Sequence, residues 1–174
     1  QELKARGCFV RALARSLGKL DLLKSSPDEI VKGEVTRPET LRHVCDGIDV
    51  VFSSVGITRQ RGGLTFHDVD YQGNKSLLEV ALGAGVRRFV YVSVFNGSRL
   101  RYLDIIDAHE AVVGELKASE MDYAVLRPTG YFSDLGELFQ MARRGRVYLI
   151  GRGENRVNPI HGADLAARCA DAVE

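Results

Sequence analysis

Strand-type apolar runs alternate with amphipathic, helix-type runs along all 174 residues of this chain. That alternation is the tightest constraint on its fold. Strand-type runs occupy 8–15, 29–35, 49–56, 87–94, 123–128 and 146–150. Helix-type runs lie between them at 38–45, 68–84, 102–119 and 133–144, and a last one at 162–174. Parallel strands need a long crossover, most often a helix. The spacing therefore predicts an α/β chain built on a doubly wound parallel sheet with helices on both faces. The runs 49–56 and 87–94 are nearly continuous in apolar residues, as expected of strands buried on both faces.

Local punctuation agrees. Pro38 sits where it can open a short helix that Asp46-Gly47 ends. Pro128 terminates its strand. The helix over 68–84 places Val69, Leu77, Val80, Ala81 and Ala84 largely on one side. Residues 1–7 read as the tail of a helix with glycine at its C-cap, followed at once by a strand. The last helix stops without a C-cap. The expectation is a single domain over 1–174, truncated at both ends, that lacks the first strand of its sheet and the glycine loop after it.

The charges are balanced, 24 basic against 23 acidic, with a net charge of +1. That leaves no electrostatic footprint for nucleic acid or an anionic membrane. No apolar run approaches the roughly 20 residues that span a bilayer. Cys8, Cys45 and Cys169 have no metal-ligand spacing and read as buried thiols of a reducing, cytoplasmic compartment.

In open parallel sheets ligands bind beyond the carboxyl ends of the strands. After the first strand-type run comes Arg15, whose guanidinium could pair with a 2′-phosphate or could be an exposed loop arginine. After the second come Glu34 and Val35, able to bracket an adenine ring. After the third come Ser54, Val55 and Gly56, small enough for close backbone approach to a ligand. Ser93 follows the fourth, and Pro128, Thr129 and Gly130 follow the fifth. Each is weak alone; five consecutive strand ends carry more weight.

Several segments resemble the atypical short-chain dehydrogenase/reductase superfamily, and most of all its NAD(P)H-binding, NmrA-like branch. They are Val-Lys-Gly-Glu-Val-Thr-Arg-Pro-Glu-Thr-Leu, Asp-Gly-Ile-Asp-Val-Val-Phe-Ser-Ser-Val-Gly, Asp-Tyr-Gln-Gly-Asn-Lys-Ser-Leu-Leu-Glu-Val-Ala, Gly-Val-Arg-Arg-Phe-Val-Tyr-Val-Ser and Met-Asp-Tyr-Ala-Val-Leu-Arg-Pro-Thr-Gly. The resemblance covers nearly the whole chain in order. It implies a Rossmann fold without its first strand and Gly-x-x-Gly-x-x-Gly loop. It assigns the adenosine end to Arg15, Glu34 and Val35, where the family usually has Asp-Val. The strand-end backbone beside the cofactor falls on Ser54, Val55 and Gly56, and the helix asparagine on Asn74. The resemblance likewise maps the family's active-site serine onto Ser93 and its nicotinamide-side loop onto Pro128, Thr129 and Gly130.

The family's proton donor, a tyrosine with a lysine four residues later, departs from pattern. Tyr71 and Lys75 have that spacing but lie on the helix before Ser93 rather than after it, and read as coincidence. On the helix after Ser93 the lysine position is His109 and the tyrosine position is Ile105, which cannot donate a proton. Three roles are open to His109: binding the nicotinamide ribose, shuttling a proton, or packing the helix. His161 either lines a substrate pocket or begins the last helix, and His43 and His67 read as surface residues.

The leading expectation is an NAD(P)H-dependent oxidoreductase acting on a small carbonyl or similar substrate, with NADP preferred over NAD because of Arg15. The alternative is a non-catalytic, NAD(P)-sensing regulator or assembly factor with a protein partner. An epimerase or isomerase using NAD transiently is disfavoured by the missing tyrosine–lysine pair.

Overall fold

The computed structural model describes residues 1–15, 27–60, 62–148, 151–154 and 156–173. The opening residues form one helical turn, α1 (Glu2–Ala5). Gly7 closes it at φ +78°, and Cys8 N–H donates to the Leu3 carbonyl at 3.0 Å. That closure needs a left-handed residue, which is why glycine stands there. Strands β1 (Arg11–Ala14) and β2 (Glu29–Lys32) pair in parallel, Arg11 opposite Glu29. The Arg11 guanidinium donates to Glu29 at 2.7 Å across the pair.

Strands β3 (Val50–Ser53), β4 (Arg88–Val92) and β5 (Asp122–Leu126) form a second parallel group in the order β3-β4-β5. Each observed strand is shorter than its apolar run, because the ladder stops where the chain turns over the sheet edge. β4 is flanked on both sides, and Phe89, Val90, Tyr91 and Val92 are all buried. β3 departs from expectation: Phe52 is 41% exposed, so only one face of that strand is covered.

Helices α2 (Gly73–Gly83) and α3 (Asp104–Ala118) pack side by side against this group. A wider π-type turn, His67–Gln72, leads into α2. Leu77, Leu78 and Ala81 from α2 and Val112, Val113 and Leu116 from α3 meet Val51, Phe89 and Tyr91 in one apolar core. Val69 is buried as well, but Ala84 is exposed, since it caps the end of α2 rather than facing the sheet. Helix α5 (Gly162–Asp171) is tied back to the start of the chain: Arg6 donates to Asp171 at 2.7 Å and to the Ala167 carbonyl at 3.2 Å.

Two expected elements change. The helix opened by Pro38 is a single 3-10 turn, Pro38–Thr40. Thr40 Oγ1 donates to the Arg37 carbonyl at 2.7 Å and accepts from Glu34 N–H at 2.9 Å, so a side chain takes the place of helix bonds. Residues 146–148 of the expected strand 146–150 are irregular and exposed; 149 and 150 lie outside the described residues. The preceding helix is α4 (Phe132–Arg143).

Among the described residues β1 and β3 share no ladder; a cavity of about 590 Å³ separates them. Val10, Ala12 and Leu13 line one side, and Val50, Val51 and Phe52 the other.

Candidate functional site

Within each of the two strand groups the carboxyl ends lie along one edge, because every pairing is parallel. Arg15, Glu34, Val35, Ser54, Val55 and Gly56 all line the cavity between β1 and β3. The structure thus gathers six predicted positions, drawn from three strand ends, into one place. Arg15 is 67% exposed and lies 3.5 Å from Glu34. A guanidinium can pair with a 2′-phosphate and a carboxylate can accept from a 2′-hydroxyl, so these two groups could meet either kind of adenosine ribose.

The turn after β3 is pinned from below. Asn74 is fully buried. Its amide donates to the Val55 carbonyl at 3.0 Å and the Asp70 carbonyl at 2.7 Å, and it accepts from Ser53 Oγ at 2.5 Å. Asn74 therefore acts on the site by holding this turn. Asp70 Oδ2 accepts from Ile57 N–H at 3.1 Å. A Cβ on Gly56 would stand 2.7 Å from Asp70 Oδ1, so only glycine lets the turn lie this close to the helix.

The second group of predicted residues assembles beyond β4 and β5. Ser93 N–H donates to the Leu126 carbonyl at 2.8 Å, and Phe95 N–H to the Pro128 carbonyl at 3.0 Å. The two strand ends thus run on together past the sheet. Thr129 Oγ1 donates to the Asn158 carbonyl, and Ile160 N–H to the Gly130 carbonyl at 2.9 Å, which brings the chain before α5 alongside. Ser93 is buried, and its Oγ lies 3.5 Å from Glu110 Oε1. Arg127 holds both oxygens of Glu110.

His109 is not directed at Ser93. Its Nδ1 lies 2.6 Å from the Tyr91 hydroxyl, and its Nε2 lies 3.6 Å from Asp70 Oδ1. Burial pushes the imidazole below its usual range and raises the Asp70 carboxyl to about 6. The Tyr91 hydroxyl is pushed up by burial and by the nearby Asp70 and Glu110 charges.

Tyr71 and Lys75 are spent elsewhere: Tyr71 O–H donates to Glu115 at 2.6 Å and Lys75 to the same oxygen at 3.0 Å, clamping the π-type turn and α2 to α3. His161 caps α5, accepting from Ala163 N–H at 3.2 Å. His43 and His67 are exposed. Cys45 and Cys169 are buried, and Cys8 is half-buried.

Sequence reasoning passed over Asp70, Tyr91 and Glu110. One signal was readable: Asp70 and Asn74 fall on the same helical stripe as Leu77 and Ala81, two polar residues on an apolar face.

These positions fit a dinucleotide laid across the carboxyl edge. The small residues of the turn, backed by the Gly56–Asp70 contact, leave the backbone approachable, and the Arg15–Glu34 end offers groups for a ribose. No Gly-x-x-Gly-x-x-Gly stretch occurs in the sequence, so these residues do not include that kind of pyrophosphate cradle.

A family model described as NAD(P)H-binding matches residues 1–174, and the chain belongs to that family. It is accordingly a member of the atypical short-chain dehydrogenase/reductase superfamily, with a Rossmann-like α/β fold. Among curated proteins it is 26% identical over 170 residues to the photosystem II assembly factor Ycf39 of Trieres chinensis, covering 97% of this chain and 53% of that one. It is 28% identical over 195 residues to the chloroplastic divinyl chlorophyllide a 8-vinyl-reductase of Zea mays, covering 99% and 47%. The chain thus spans about half the length of these relatives. Among solved structures, the Escherichia coli NADPH-dependent quinone oxidoreductase QOR2 in complex with NADPH superposes with a TM-score of 0.73. It is 21% identical, and the match covers 94% of this chain and 55% of that one. The Bordetella bronchiseptica enzyme WbmH in complex with NAD+ gives 0.79 at 17% identity, covering 99% and 67%. At these identities the structural matches show the shared fold.

Proposed function

We propose that this chain is the dinucleotide-binding part of an NADP(H)-responsive regulator or assembly factor of the NmrA-like branch, working with a protein partner in the cytoplasm. The observation that carries this reading is the fate of the proton-donor positions. Ile105 has no proton to give, His109 is engaged by Tyr91 and Asp70, and Tyr71 and Lys75 are both committed to Glu115. The likeness to Ycf39 assembly factors supports it. Arg15, Glu34 and Val35 would hold the adenosine end, and the Ser54–Gly56 backbone would lie beside the dinucleotide. Pro128, Thr129 and Gly130 would border the nicotinamide side. Arg15 supports a preference for NADP over NAD. When bound, the nicotinamide supplies or accepts hydride; this chain's residues bind and orient it.

A second reading is an oxidoreductase acting on a small carbonyl or similar acceptor. Ser93 favours it, since a hydroxyl at the end of β4 could polarise a carbonyl. An acceptor that takes its proton from water would need no tyrosine. His109 would then act by orientation.

The test is NADPH consumption by the full-length polypeptide against a panel of carbonyls and quinones, beside a binding titration. Tight NADPH binding without turnover is the expected result. Turnover with any acceptor that is lost in Ser93→Ala would replace the first reading with the second.

A further inference from the structure

Asp70 is 1% exposed, yet its Oδ1 has no hydrogen-bond partner among the described residues. A buried, unpartnered carboxylate oxygen is costly, and its neighbours show what it is for. On one side stands Gly56, with no room for a Cβ between them. On the other stands His109 Nε2, at 3.6 Å. Oδ2 holds Ile57 N–H.

The hydrogens follow from the partners. The Tyr91 hydroxyl is fully buried, and its partner is His109 Nδ1 at 2.6 Å. If Tyr91 O–H donates to Nδ1, the neutral imidazole carries its hydrogen on Nε2, facing Asp70 Oδ1. The Tyr91–His109 hydrogen bond then aims Nε2 at Asp70 Oδ1 across 3.6 Å, an electrostatic contact rather than a hydrogen bond. The charged groups facing these three residues are Glu110 on α3 and Arg127 after β5; from Asp70's own element, Asp68 and His67 are near neighbours in sequence.

We propose that Asp70 is a positioning residue of the dinucleotide site: its carboxylate, steered by the Tyr91–His109 pair, fixes the Ser54–Ile57 turn against which the dinucleotide lies. The inference rests on the dinucleotide reading above. It gives His109 an indirect role, acting through Asp70 on the turn. One proton added to the pair must displace the Tyr91 hydrogen from Nδ1 or neutralise the carboxylate. Neutralising the carboxylate weakens the hold on Ile57, whereas a proton held on His109 leaves the carboxylate charged. The titration then belongs to the pair rather than to either residue.

The experiment measures NADH and NADPH affinity of the full-length polypeptide between about pH 5 and pH 8, for the wild type, Asp70→Asn and His109→Gln. NADH serves because it lacks the 2′-phosphate, which titrates near pH 6 itself. The wild-type affinity for NADH is expected to fall by up to about tenfold per pH unit below pH 6, the limit for one linked proton. Asp70→Asn should be flat over that range, and His109→Gln should move the midpoint. The Ile57 amide resonance of the unliganded protein should shift over the same range in the wild type and not in Asp70→Asn. A wild-type slope retained in Asp70→Asn, or an Ile57 amide that ignores pH, overturns the inference and leaves the dinucleotide reading standing. Binding of neither dinucleotide at any pH overturns that reading itself, and the inference with it.

Discussion

Asp70 shows how one residue can be placed against its own stability. Burial raises its carboxyl from the ordinary 3.8 to about 6. The native state then holds a proton that the unfolded chain has already released, so this group's contribution falls as pH rises from about 4 to about 6. A shift of that size corresponds to at most about 3 kcal/mol. Asp70→Asn is therefore expected to raise the melting temperature near pH 7.5 and to lose that advantage near pH 4.5. An equal change at both pH values would count against an ionised Asp70. Gly56→Ala acts at the same contact from the other side. The added methyl meets Asp70 Oδ1, and the turn must move. Overpacking of this kind costs about 1–3 kcal/mol, and dinucleotide affinity should fall by roughly tenfold or more, as calorimetric titration would show. At the exposed end, Arg15→Glu would set a second carboxylate beside Glu34 and should weaken NADPH binding more than NADH binding. An unchanged ratio of the two dissociation constants would remove Arg15 from the cofactor site.

At the scale of elements, α2 and α3 are joined by apolar packing and by the Tyr71–Lys75–Glu115 cluster. Glu115 is held below the usual carboxylate range by the Tyr71 and Lys75 hydrogen bonds, so the clamp is made with Glu115 ionised. If the cluster is a clamp and not a proton relay, Tyr71→Phe leaves any NADPH turnover unchanged; a loss of turnover at constant affinity would restore the pair to catalysis. Helix and strand positions were legible in the sequence because each is set by local periodicity. The Pro38 turn and the 146–148 segment were not. At Pro38 a threonine hydroxyl competed successfully with backbone bonds, and an isolated apolar run finds no ladder merely by being apolar.

At the scale of the molecule, β4 is the centre of what is held most firmly. Phe89 is fully buried beneath α2 and α3, and Phe89→Ala is expected to cost about 3–5 kcal/mol in chemical denaturation. Hydrogen exchange should divide the sheet: β4 amides, paired on both sides, exchange slowest. Amides of β1 and β3 that point into the 590 Å³ cavity exchange fastest among the strands. Uniform protection across β1, β3 and β4 would mean that the cavity is closed in solution.

The α/β alternation and the parallel pairing that follows from it were legible in residue order alone, as were the strand ends at which a ligand is expected. These depend on residue type at short range and on the geometry of crossover helices. Packing settled which of those ends share a cavity, that Arg15 faces Glu34, and that His109 turns to Tyr91 and Asp70 rather than to Ser93. It also decided the fate of Tyr71 and Lys75, whose spacing fits a catalytic pair but whose partner on the neighbouring helix makes them a clamp. Such outcomes depend on which side chains meet when helices pack on a sheet, and a buried carboxylate acquires its role only from the neighbours that burial gives it.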